Sequence, residues 1–180
     1  MTNLVCSFAE LTASTDLDTR VIAGLAVPYG EVGFPGGTFA GAEVSFLPGS
    51  LTRSVTERGS KTKLIVDHDR TRPVGKLTGF DDRPDGLRAE FSIVRTPAGD
   101  AVLAEADGGV RDSFSIGCDV IDYLETRNGI QVVEARLIEV SLVSFPAFAS
   151  AAVERVAATQ QTPARGIDPR SVRFRLTLKG

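Results

Sequence analysis

The sequence contains one histidine, one methionine, two cysteines and no tryptophan in 180 residues. Chemistry that needs two imidazoles from one chain is therefore excluded, and chemistry that needs one has a single candidate, His68. Cys6 and Cys118 show no metal-type spacing, so they are expected to be reduced, packed thiols. No apolar run approaches the roughly 20 residues of a membrane span. The N-terminal stretch MTNLVCSFAELTASTDLDTR has no basic segment followed by a long apolar one, and so does not resemble a signal peptide. An excess of positive charge is also missing. With 20 Lys+Arg against 23 Asp+Glu the net charge is −3, which gives no global reason to expect nucleic acid. A soluble, cytoplasmic protein without membrane or nucleic-acid partners is the expectation.

What is present is a chain of one-domain size, 42% hydrophobic, long enough to bury about 70% of its unfolded surface without disulfides. Its pattern is strand-rich with short helices. Strands are expected at 20–29, 44–47, 63–67, 73–80 and 86–95, and as two long runs at 113–123 and 130–145 around the turn Arg127-Asn128-Gly129. Residues 31–41 are rich in Gly and Pro and predict a loop. A short helix is expected at 50–57 with Ser50 as its N-cap and Gly59 just past its end. A second should start at the Thr96-Pro97 cap and stop at Gly108-Gly109. Pro146 is expected to open a last helix through AFASAAVERVA.

The C-terminal end differs in composition. Residues 159–168 are polar and turn-prone, and 171–179 alternate Val172, Phe174, Leu176 and Leu178 with Arg173, Arg175, Thr177 and Lys179, a strand signal. Residues 163–180 hold five Lys+Arg against one Asp, net +4; the remainder holds 15 against 22, net −7. The division expected is a domain at 1–158 followed by a polar linker and basic amphipathic tail at 159–180.

Three segments can carry chemistry. In Lys63-Leu64-Ile65-Val66-Asp67-His68-Asp69, a strand running straight through puts His68 opposite Asp67 and Asp69, which defeats a shared metal site; a turn starting at Asp69 reopens one. In Asp112-Ser113-Phe114-Ser115-Ile116-Gly117-Cys118, Ser113, Ser115 and Gly117 share a face. The glycine leaves space beside a hydroxyl, which suits either a nucleophile approached by substrate or ordinary close packing. In Leu137-Ile138-Glu139-Val140-Ser141-Leu142-Val143, Glu139 is an acid within an apolar strand. It either faces solvent or accepts a hydrogen bond from an imidazole. Together these supply a base, a nucleophile and an orienting acid, the parts of a serine hydrolase. Ser113 is the alternative nucleophile on the same face.

These motifs, in order, resemble the prohead (capsid maturation) serine proteases of tailed phages. The likeness lies in GLAVPYG, VSFLPGSLTRSV, LIVDHDRTRPVGKL, GLRAEFSIVRTPAGD, VRDSFSIGCDV and RLIEVSLVSFPAFASAAVERV, across about residues 20–156. The resemblance implies a β-rich α+β fold, a herpesvirus-protease-like β-barrel with peripheral short helices. It implies a serine endopeptidase that works without a cofactor or metal inside the assembling procapsid in the host cytoplasm. Its substrates would be scaffold, the scaffolding segment of the major capsid protein, and itself; a homo-oligomer, such as a dimer, is implied by analogy. Carried over by motif, the base is His68, the nucleophile Ser115 and the third member Glu139, because no second histidine exists for a Ser-His-His arrangement. The competing expectations are a non-enzymatic β-barrel capsid-assembly module, which separates His68 from Ser115, and a metal-dependent hydrolase centred on Asp67, His68 and Asp69.

Overall fold

The computed structural model describes residues 19–158. Cys6, the linker and the expected tail strand lie outside the described residues. Eight strands form one sheet: β1 (Arg20–Pro28), β2 (Glu43–Phe46), β3 (Lys63–Val66), β4 (Gly75–Arg83), β5 (Gly86–Ile93), β6 (Ser113–Glu125), β7 (Gly129–Val143) and β8 (Val153–Ala158). Two helices, α1 (Thr52–Arg58) and α2 (Pro97–Asp107), pack beside them. The fold is thus a strand-rich α+β arrangement.

The strand order is β2-β7-β3-β4-β5-β1-β8, with β6 also paired to β7. β7 is the spine. β6 runs antiparallel along most of its length, while β2 and β3 lie parallel to it at Gly129–Val132 and Glu139–Leu142. Alternation builds the core: in β5, Leu87, Ala89, Phe91 and Ile93 are buried in turn. Phe91 and Phe114, both fully buried, meet with ring centroids 6.0 Å apart. This core fixes the faces of β6 and β7: Phe114, Val140 and Leu142 point inward, so Ser115, Glu139 and Ser141 share the opposite face.

The helix α2 begins as expected, with Thr96 Oγ1 accepting from the Gly99 N–H at 3.1 Å. Three other expectations are corrected. The first residue flanking α1 is Leu51, with no side-chain cap; Ser50 is buried and its hydroxyl has no partner, while its carbonyl accepts from the Ala135 N–H. β4 extends to Arg83, so only Pro84-Asp85 make the turn into β5. The segment after Pro146 is not a helix. It is irregular and then becomes β8, which pairs with β1. Gly24 makes this docking possible: a Cβ there would lie 2.2 Å from the Ala152 carbonyl oxygen.

Candidate active site

The expected strand at 63–67 stops one residue early, and this places the histidine. Leu64 and Val66 are fully buried, so a continuing strand would carry His68 into the core with them. Instead Asp67 and His68 both adopt left-handed backbone conformations, with φ of 50° and 59°. Two such non-glycine residues in succession are costly and need outside support. The Asp69 N–H bonds the Val66 carbonyl at 2.9 Å, closing the turn. The His68 N–H donates to Ser141 Oγ at 3.0 Å. Arg111 holds Asp67 from the other side, 2.7 Å from its carboxylate, and reaches Glu105 of α2 at 2.8 Å. The hydrogen bond to Asp67, ahead of the loss from partial burial, holds the Arg111 guanidinium above its ordinary range.

The turn swings the imidazole onto the outer face of β6 and β7. The three expected residues come together there. His68 Nδ1 lies 2.8 Å from Glu139 Oε1, and His68 Nε2 lies 3.0 Å from Ser115 Oγ. A carboxylate at Nδ1 places the proton on that nitrogen and leaves Nε2 to accept from the Ser115 hydroxyl. The glutamate is buried while the imidazole side chain is 47% exposed, so the acid is shielded and the ring is open to solvent. Glu139 therefore does not face solvent. Ser113 is not part of the group; its hydroxyl donates to Asp112 at 2.9 Å.

Ser141 belongs to the site, although the three sequence motifs do not by themselves point to it. Fully buried, it accepts the His68 N–H and donates to Glu139 Oε2 at 2.8 Å. Its signal was in the pattern: it stands two residues after Glu139 on the same strand face and in register with Ser115.

Of the two expected uses of Gly117, close packing is the one the structure shows. The space beside it is filled by Glu139, its register partner, and a Cβ on residue 117 would lie 2.4 Å from Glu139 Oε1. Gly117→Ala therefore displaces the carboxylate from His68 Nδ1. A misplacement of this size costs catalysis about 100-fold. The expected result is that loss in kcat/KM with the fold retained by circular dichroism; unchanged kcat/KM would show that the carboxylate position is not critical.

Other chemistries fit less well. Burial, then the charges of Asp119 and Glu139, push the Cys118 thiol up to about 11, leaving it protonated at neutral pH. Asp67 is engaged by Arg111 and Asp69 by Thr71, and among the described residues no group of three His, Cys, Asp or Glu converges for a metal.

A hydrogen-bonded Ser-His-Glu chain on a strand-rich fold narrows the class, and the sequence comparison decides the family. Residues 9–165 match the family described as caudovirus prohead serine protease. The chain belongs to that family. Among solved structures, the varicella-zoster virus protease is similar at 13% identity and a TM-score of 0.43, over 75% of this chain and 63% of that protein, so the chain spans less than two thirds of its length. The bacteriophage T4 capsid assembly protease is similar at 10% identity and a TM-score of 0.38, over 68% of this chain and 96% of that one. No curated protein matches the sequence. Membership in the prohead protease family covers all of the described residues, including His68, Ser115 and Glu139.

Proposed function

We propose that the chain is a serine endopeptidase of head maturation in which Ser115 is the nucleophile, His68 the general base and acid, and Glu139 the group that orients and charges the imidazole. The observation that carries this is the continuous chain from Ser115 Oγ through the His68 ring to Glu139, at 3.0 and 2.8 Å. As Ser115 Oγ attacks the scissile carbonyl carbon, its proton passes to His68 Nε2. The imidazolium so formed is stabilised by the Glu139 carboxylate across Nδ1. The C–N bond then breaks as Nε2–H protonates the leaving amine, giving an acyl-enzyme. Water, deprotonated by the same nitrogen, hydrolyses the ester and restores Ser115.

The substrates in this reading are the major capsid protein's scaffolding segment and the chain itself, cut within the assembling procapsid in the host cytoplasm. The barrel belongs to the same proposal. It is supported by two hydrogen bonds, Phe114 N–H to Ala151 at 3.0 Å and Val153 N–H to Asp112 at 2.7 Å, which bring the start of β8 against β6. The non-enzymatic module expects His68 and Ser115 to be far apart, the reverse of their 3.0 Å contact.

The test is inhibition of scaffold cleavage. Diisopropyl fluorophosphate should stop it and EDTA should leave it unchanged. Loss in EDTA with resistance to the organophosphate would favour the metal-dependent hydrolase instead.

A further inference from the structure

We infer that the sheet face beside Glu139 binds an acidic, extended peptide segment, so that substrates of the proposed peptidase carry acidic side chains about three to four residues from the scissile bond. This deepens the peptidase reading above and rests on it for the word substrate. The first observation is an unfavourable pair. Lys63 of β3 and Lys76 of β4 stand directly opposite each other in register, both exposed. Like charges in that position repel and destabilise the sheet. Among the described residues neither lysine has an ion pair or hydrogen bond that would relieve the repulsion. Lys63 is also the parallel register partner of Glu139, so this repulsion sits one strand away from the orienting carboxylate.

The second observation is a cavity of about 350 Å³ between the end of α1 and β7, lined in part by Arg58, Lys61, Asp119, Arg136 and Ile138. Arg136 is paired with Asp119, but Arg58 and Lys61 have no ion pair among the described residues. Asp119 lies four residues beyond Ser115 on β6, about 13 Å at strand spacing. An extended peptide with its scissile bond at Ser115 reaches the cavity with the third or fourth side chain.

The stretch of chain that carries Arg58, Lys61, Lys63 and Lys76 runs against the charge trend of the molecule. Residues 58–76 hold six Lys+Arg against two Asp, while the rest of the described chain holds nine against 17. A nucleic-acid strand would use aromatic faces for its bases, and none of the cavity-lining residues is aromatic. An acidic peptide matches both the charge and the strand-like reach.

The test is fluorescence polarisation with the full-length Ser115→Ala chain and three labelled probes: a short peptide alternating Ala and Glu, its Ala and Gln counterpart, and oligothymidylate. The Glu peptide should bind at least about tenfold more tightly than the Gln peptide, and the double variant Lys63→Gln/Lys76→Gln should lose roughly that factor, as two exposed ionic contacts would. Lys76→Glu turns the repelling pair into an attracting one. It should raise the melting temperature by roughly 1–4 °C while weakening the Glu peptide. Equal affinity for the Glu and Gln peptides, insensitivity to the lysine variants, or tighter binding of oligothymidylate would each overturn the inference. Binding does not require cleavage. A chain that binds the Glu peptide yet cleaves nothing contradicts only the peptidase reading, and a chain that cleaves with no acid preference contradicts only this one.

Discussion

Ser115→Ala should reduce cleavage of scaffold polypeptide by about 10⁵- to 10⁶-fold, to the floor of the assay. The change removes the one hydroxyl that, among the described residues, contacts His68 Nε2. Ser115 is half-buried at the start of β6, and the methyl of alanine fits a strand there without new strain. Folding should therefore be altered by no more than the single hydrogen bond, about 1 kcal/mol. Ser113→Ala is the matched control. It lies on the same strand, two residues away, but its hydroxyl is held by Asp112 and not by the imidazole. Its kcat/KM should stay within about twofold of the parent, because it removes no contact with the reacting groups. Intact-mass analysis of purified chains gives an internal readout, since self-cleavage should vanish in the first variant and persist in the second. Retained cleavage by Ser115→Ala would mean that the contact at His68 Nε2 is structural.

Glu139→Gln should lower kcat by about 10³- to 10⁴-fold with little change in KM. The carboxylate accepts at both oxygens, from His68 Nδ1 and from the Ser141 hydroxyl. An amide has one accepting oxygen. If that oxygen faces His68, its NH₂ meets the Ser141 hydroxyl, which must then give up donating; if the amide flips, its NH₂ meets Nδ1 and favours the tautomer with the proton on Nε2. In the second state His68 cannot take the Ser115 proton. In the first, the imidazolium forms without a negative partner. Either way the loss falls on the chemical step, so kcat should drop and KM should not. A fall in KM-dependent binding with kcat preserved would place Glu139 in substrate recognition instead. Thermal unfolding of the same variant separates this from a folding defect, because Glu139 is buried and its loss also touches Ser141.

The faces of β6 and β7 were legible because strand alternation is a strict rule, while the choice of His68, Ser115 and Glu139 came with the family resemblance. Phe114 and Val140 mark the inward face of β6 and β7, and Ser115 and Glu139 follow on the other. Ser141 could have been read by the same count from Glu139. The position of His68 could not, because nothing in Asp67-His68 announces two successive left-handed residues; they are imposed by Ser141 and Arg111, distant in sequence. The missing bulk at Gly117 is visible in the sequence, but the occupant of its space comes from another strand. The error at β8 has a related cause. AFASAAVERVA carries good helix formers, yet the open edge of β1 and the close approach at Gly24 decide its conformation.

The most direct measurement is peptide mapping by mass spectrometry after reaction with diisopropyl fluorophosphate. One adduct per chain on Ser115 is expected, with Ser113 and Ser141 unmodified, and none when His68→Ala removes the base. An adduct on Ser113, or equal labelling of Ser115 with and without His68, would contradict the Ser115–His68–Glu139 assignment.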